Sequence, residues 1–375
     1  MLATGSFDSN TGIWTKNDRA RGRNGVGGED DEFDGAGVED ADALDGMTGD
    51  EEEEWAFSSL LTGPDSEIKS VAFSPTNPAL LATSSRDKSV WVWEDVANSA
   101  GGGGFTGAGG ADDSEYETVA VLAEHTGDVK CVAWHPEREV LASGSYDDTV
   151  RLWRDVEEEG DWCCIGVLDG HEGTVWGVAW EGIKSHGGEA GGDENASAAP
   201  KELRLASCSD DLSIRIWRKV SKDRERENKG PRLPSIIRPP SSMETWVQEA
   251  TLPQMHVRSI YAVAWSNVTG LLVSCGGDGG IYVYKERPLQ HLPEAQTNGE
   301  VEDVVMNGME DSSSTEKVKT EWVVVAQAEA AHDEFEINHV CWARRQDRDK
   351  RHDNEEVIVS SGDDGVVKAW ILPEL

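Results

Sequence analysis

Leu80-Leu81-Ala82-Thr83-Ser84-Ser85-Arg86-Asp87-Lys88-Ser89-Val90-Trp91-Val92-Trp93 reads as two short apolar strands around a tight polar turn, with an aspartate six residues before the closing tryptophan. The spacing recurs. Asp8 precedes Trp14, Asp147 precedes Trp153, Asp211 precedes Trp217 and Asp364 precedes Trp370, while Asp278 precedes a tyrosine, Tyr284. Six copies of the figure mark a repeat protein, in which each unit buries its apolar face only against its neighbours.

Around these copies the chain is strongly acidic. Its 34 Lys and Arg face 72 Asp and Glu, for a net charge of -38, which repels phosphate backbones and anionic bilayers alike. Neither nucleic acid nor a membrane is expected as a direct partner. No apolar run approaches the roughly 18 residues of a membrane span, and residues 1–8 lack the basic flank and apolar core of a secretory signal. The six cysteines, Cys131, Cys163, Cys164, Cys208, Cys275 and Cys341, fall mostly inside apolar strand patterns. They are expected to be core residues in a reducing compartment. No Cys-x-x-Cys pair is present, so no structural metal is expected, and adjacent Cys163 and Cys164 point to opposite faces of a strand.

In chain order, residues 1–16 form a partial repeat, as expected of a chain whose beginning is missing. Residues 17–54 carry Glu29, Asp30, Asp31, Glu32 and further acids up to Glu54, with no basic residue from Glu29 on, the composition of a disordered acidic insertion. Complete repeats are expected at 55–94, 117–154, 162–218, 245–285 and 321–372. A Gly-rich insertion (95–116), an insertion within the third repeat (181–202), linkers at 219–244 and 286–320, and a basic insertion (344–354) separate or interrupt them. The basic run from Arg344 to Arg351 is interleaved with Asp347 and Asp349, so a solvated loop is a better reading of it than a nuclear address.

His125, His171, His256 and His332 precede the inner strands at matching places. Together with the turn aspartate, a strand Ser or Thr and the closing tryptophan, they resemble the hydrogen-bonded set of the WD-repeat β-propeller. A buried imidazole and a buried carboxylate must satisfy each other, and recurrence of the set marks it as structural, not catalytic. One repeat departs from the pattern: Gly63-Pro64-Asp65 stands where Gly-His is expected, so that blade should be tied more weakly.

The stretches 2–16, 85–94, 128–153, 161–176 and 206–211 are similar to a narrower family, the cytosolic iron-sulfur protein assembly WD-repeat proteins, which are scaffold subunits of the cytosolic targeting complex. The resemblance implies an all-β, seven-bladed propeller, here incomplete with five full repeats and half of another. It also implies a non-catalytic scaffold without a cofactor, docking cluster-targeting adaptors and client iron-sulfur apoproteins in the cytoplasm, with the nucleus as a second compartment. The alternative is another WD-repeat adaptor, such as a ubiquitin-ligase substrate receptor. Such receptors often carry Trp-Asp-x-Arg, which Trp93-Glu94-Asp95-Val96 and Trp153-Arg154-Asp155-Val156 lack.

In that fold the histidine loops and aspartate turns share one end, and every long insertion belongs to the other. The short-loop end is therefore the expected partner surface. There Arg86 and Tyr146 each precede a turn aspartate, and Lys69, Lys130, Trp176 and Tyr261 begin inner strands. Arg, Tyr and Trp compose interface hot spots, and a Lys69–Arg86–Lys130 patch would receive a carboxylate.

Overall fold

Alternating apolar and polar residues between tight turns build sheets throughout. The computed structural model describes residues 1–16, 55–97, 115–156, 161–182, 203–220, 244–289 and 320–373. The expected acidic insertion at 17–54, and most of the segments 95–116, 181–202, 219–244 and 286–320, lie outside the described residues.

The first sheet is three-stranded, with β1 (Leu2–Gly5), β2 (Asn10–Lys16) and β3 (Trp55–Thr62). Four four-stranded sheets follow: β4 (Ile68–Phe73), β5 (Leu80–Ser85), β6 (Val90–Asp95) and β7 (Tyr116–Leu122); β8 (Val129–Trp134), β9 (Leu141–Ser145), β10 (Thr149–Asp155) and β11 (Trp162–Asp169); β12 (Val175–Trp180), β13 (Arg204–Ser209), β14 (Ile214–Lys219) and β15 (Trp246–Thr251); β16 (Ile260–Trp265), β17 (Leu272–Gly276), β18 (Ile281–Pro288) and β19 (Thr320–Ala328). The sixth sheet again has three strands, β20 (Ile337–Arg344), β21 (Glu356–Gly362) and β22 (Val367–Trp370). All pairings are antiparallel, and the inner strands β4, β8, β12, β16 and β20 lie side by side in that order. The arrangement is a six-sheet β-propeller.

Repeats and sheets are out of phase. The first strand of each sequence repeat (β3, β7, β11, β15 and β19) closes the sheet before it. A repeat such as 55–94 thus belongs to two sheets, which couples neighbours covalently as well as by packing. Apolar clusters fill the gaps between consecutive sheets; Val140, Leu152, Ile165, Val178 and Trp217, for example, join the third to the fourth. Indoles at the foot of the inner strands add cross-sheet hydrogen bonds, Trp134 to the Ala72 carbonyl at 2.9 Å and Trp180 to that of Ala133 at 3.0 Å.

Cys208 and Cys275 are buried, Cys131 and Cys341 are half-buried within the inner strands β8 and β20, and half-buried Cys163 and Cys164 lie on the outer strand β11; Cys131, Cys163 and Cys164 pack against the apolar clusters between sheets. The basic loop is exposed from 346 to 354, as a solvated loop is expected to be, and is tethered at its end. Arg345 and Arg351 both bond the buried Glu355, at 3.2 and 2.7 Å, and Arg351 also reaches the Leu372 carbonyl at 3.1 Å. The amide and guanidinium of Arg351, with Arg345, outweigh burial and hold the Glu355 carboxyl down at about 2.

Candidate functional site

The turn aspartates organise the short-loop end. Asp147 accepts from His125 Nδ1 at 2.8 Å, and His125 Nε2 meets Ser143 Oγ at 2.8 Å, where the Trp153 indole also donates at 2.8 Å. The serine hydroxyl accepts from the indole and donates to Nε2, which leaves the Nδ1 proton for the carboxylate. His171–Asp211–Ser207–Trp217 and His332–Asp364–Ser360–Trp370 repeat the geometry, and His256–Asp278–Ser274 has buried Tyr284 in the tryptophan's place. Burial opposes the charge on Asp147, but bonds from His125, Thr149 and the Thr126 amide outweigh it and hold the carboxyl well below its usual range. Asp211 is depressed in the same way through His171 and Ser213. Each of these serines is buried and committed to an indole or imidazole, so the sets have a structural role.

In the first sheet the Trp14 indole donates to Thr4 Oγ1 at 3.0 Å, and Asp8 caps its turn through the Asn10 amide at 3.1 Å. The second sheet solves the missing histidine differently. Asp87 accepts the Asp65 amide at 2.8 Å and bonds Ser89, while Trp93 donates to Thr83 at 3.0 Å. Trp91 stacks on Trp93 at 5.3 Å and donates to Ser89 Oγ at 2.8 Å. Gly63 makes room for it: a Cβ there would stand 2.6 Å from the Trp91 ring. Buried Pro64 stands at the imidazole's position, and Trp91, at the strand position that Arg215 holds in the fourth sheet, adds its stacking on Trp93 and its bond to Ser89 to the ties of this sheet.

Tightness at this end has a second source. Each inner strand begins with a β-bulge, and the residue left unpaired is Lys69, Lys130, Trp176, Tyr261 or Asn338. A bulge re-aims its extra side chain. The residue before each turn aspartate is fixed too, because its amide donates to the inner strand's first loop carbonyl: Arg86 to Glu67 at 2.9 Å, Tyr146 to Asp128 at 2.8 Å and Asp210 to Thr174 at 3.0 Å.

These constraints bring all six expected partner-binding residues into one row. Lys69 (3.2 Å) and Arg86 (2.9 Å) share Glu67, and Arg86 (3.9 Å) and Lys130 (3.1 Å) share Asp128. Lys130 lies 5.8 Å from the Tyr146 ring and 5.1 Å from that of Trp176. Trp176 meets Tyr261 edge to face at 5.4 Å, and Tyr261 donates to Glu336 at 2.9 Å. Phe7 ends the row over Lys69, with 5.0 Å between ring and ammonium. The expected cationic patch is therefore already balanced in part. Glu67 and Asp128 answer its three cations, and the bonds from Arg86 and Lys69 outweigh burial to keep Glu67 below the usual carboxyl range. Arg86 remains 56% exposed, and among the described residues its Nη2 has no hydrogen-bond partner. Phe7 and Tyr146 beside it are 78% and 63% exposed. Glu67 and Asp128 were missed in the sequence, although both stand immediately before an inner strand, where Thr174, Ser259 and Glu336 also stand.

A family profile described as "WD domain, G-beta repeat" matches residues 55–94, 116–154, 162–218 and 247–285. A protein of Botryotinia fuckeliana named "Probable cytosolic iron-sulfur protein assembly protein 1" is 42% identical over 388 residues, covering 100% of this chain and 80% of its own length. Proteins of the same name from Aspergillus terreus and Neurospora crassa are 44% and 38% identical, covering 99% and 98% of the chain and 81% and 78% of their own lengths. With repeats, sheets and near full-length similarity in agreement, the chain belongs to the family of cytosolic iron-sulfur protein assembly protein 1.

Proposed function

We propose that the chain is a non-catalytic interaction scaffold in cytosolic iron-sulfur protein assembly, which docks adaptors and client apoproteins on its short-loop face. The observation that supports this reading is the contiguous row from Phe7 to Tyr261. It is held by bulges and backbone bonds on a rigid end, and it is rich in the residue types that dominate interface energetics. Arg86 is its centre: one edge of the guanidinium is anchored by Glu67, and the other is directed to a carboxylate of the partner. Tyr146, Trp176 and Tyr261 supply rigid apolar area, and Lys69 and Lys130 hold the two acids that orient Arg86.

The test is recovery of partners from cells. Arg86→Ala and Tyr146→Ala are expected to lower the yield of cluster-targeting adaptors and apoproteins at least about tenfold, the scale of a lost hot spot. Undiminished recovery by both variants overturns the assignment. Cullin-type partners without those adaptors would favour the substrate-receptor alternative.

A further inference from the structure

The ring of residues that precede the turn aspartates has a gap. Phe7, Arg86, Tyr146, Asp210 and Asp363 each put a side chain there, whereas the fifth sheet has Gly277. Its backbone does not need glycine. The Gly277 amide donates to the Ser259 carbonyl at 2.9 Å, as the amides of Arg86, Tyr146 and Asp210 do to theirs, and its φ is not among the positive ones. The other three glycines around Asp278 are accounted for by the fold. A Cβ on Gly276 would stand 2.2 Å from the Ser259 carbonyl oxygen, one on Gly280 would stand 2.7 Å from the Tyr282 ring, and Gly279 has a φ of 69°. On Gly277 a Cβ would meet the Tyr261 hydroxyl at 3.2 Å and Arg258 Cβ and Glu336 Oε1 at 3.5 Å, which a shift of a few tenths of an ångström accommodates. Gly277 therefore leaves a notch between the fifth and sixth sheets, beside the last residue of the row.

Its walls are acidic and aromatic. Tyr261 donates to Glu336 Oε2 at 2.9 Å, and Oε1, on the notch side, accepts no hydrogen bond among the described residues. Neutral donors fix two further carboxylates, the Trp176 indole on Asp210 at 2.6 Å and the Asn338 amide on Asp363 at 2.6 Å. Burial, the bond to Glu336 and the charges of Glu336, Asp210 and Asp363 push the Tyr261 hydroxyl up to about 12. Arg258, the cation on this loop, is exposed and stays 3.9 Å from Glu336 Oε1, beyond hydrogen-bond reach. Val257 and Phe335, 77% and 49% exposed, flank the Asp278–Gly279 turn; the Val257 amide donates to Asp278 at 3.0 Å, and the Phe335 carbonyl oxygen would lie 3.0 Å from a Cβ on Gly279.

We infer that the Gly277 notch receives an arginine side chain of the docked partner, whose guanidinium bonds Glu336 Oε1 while neighbouring apolar residues of the same partner lie on Val257 and Phe335. The inference rests on the short-loop face being the partner surface and sharpens it. The face takes a polypeptide that offers a carboxylate to Arg86 in the second sheet and a cation to Glu336 between the fifth and sixth. A guanidinium suits the place, because it is weakly hydrated, lies well against aromatic rings such as Tyr261 and Trp176, and makes strong charge-assisted bonds to a carboxylate. Opposite charges at the two ends of the face also fix the orientation of the partner and repel one docked in reverse.

The test titrates N-acetyl-arginine amide into the full chain and follows backbone amide resonances. A saturable shift at residues 258–261, 276–279 and 335–337 is expected. The isosteric, uncharged N-acetyl-citrulline amide should bind at least about tenfold more weakly, the scale of a lost charge-assisted hydrogen bond. Gly277→Tyr fills the notch with the side chain that Tyr146 carries at the same place in the third sheet, and Glu336→Gln removes the charge while keeping an acceptor for Tyr261. Each should weaken the arginine amide at least about tenfold at a urea midpoint near the parent's, and each should lower recovery of adaptors from cells. Absence of saturable binding, equal binding of the citrulline amide, or full adaptor recovery by both folded variants overturns the inference. The titration involves no adaptor. If Arg86→Ala and Tyr146→Ala recover adaptors normally while the notch variants do not, the Arg86 assignment falls and the notch stands.

Discussion

Arg86 and Asp87 are neighbours with different tasks, and substitution separates them. Asp87 is consumed by the Asp65 amide and Ser89, whereas Arg86 is 56% exposed and its buried partner Glu67 keeps Lys69 at 3.2 Å when Arg86 is removed, so the pair is worth about 1 kcal/mol. Arg86→Ala should therefore lose partners while its urea midpoint stays close to the parent's. Asp211→Asn should do the reverse. It removes the charged acceptor of a buried His171 and is expected to cost about 2–3 kcal/mol in urea unfolding. The same chemistry sets the acid response. Asp147, Asp211, Asp278 and Asp364 are all depressed, each against burial by hydrogen bonds from its histidine and turn groups. Their unfolded values lie near 3.9, so their contribution is complete above that pH and is lost as pH falls below it. Urea midpoints should be flat from neutrality to about pH 5 and fall steeply below about 4. The Asp211→Asn variant should fall less steeply there.

Strand and turn chemistry explains what could and could not be read from the chain. The residue after each turn aspartate has a positive φ: Ser9 72°, Lys88 77°, Asp148 64°, Leu212 65°, Gly279 69° and Gly365 72°. Glycine at the last two positions signals this, and the other four turns hide it. Leu212 has a Cβ in this left-handed region and no polar side chain to bond its own backbone there, so Leu212→Gly is expected to raise stability by about 0.5–1 kcal/mol in urea unfolding. The turn aspartates and closing aromatics were legible because their spacing is fixed, and the histidines because each stands just before an inner strand of its own repeat, although 22 to 40 residues separate it from its aspartate. The bulges at Lys69, Lys130, Trp176 and Tyr261 were not, since a skipped residue is defined only by the partner strand. Trp91 was hidden too. It stacks on Trp93 and bonds Ser89 beside buried Pro64, and Gly63 leaves it room as Gly170 does Arg215. Trp91→Ala is expected to cost about 3 kcal/mol, read as a lowered urea midpoint.

At the scale of the molecule, the two ends divide the work. Connections that hold the histidines and aspartates are short, and Lys16 with Trp55 and Asp95 with Tyr116 place the longer connections at the opposite end. The cations expected to form an open patch proved to be braced by Glu67 and Asp128, because a chain of net charge -38 supplies carboxylates to almost any exposed cation. Composition carries that information, but only the fold says which acid meets which base. The same division makes the central claim testable. Amide exchange of the full chain should be compared with and without the adaptors it recovers from cells. Slowed exchange at residues 65–69, 86–88, 126–130, 146–148 and 174–176 is the predicted result. Slowing confined to the opposite end, at 74–79, 135–140 and 345–355, would contradict a partner surface on the short-loop face.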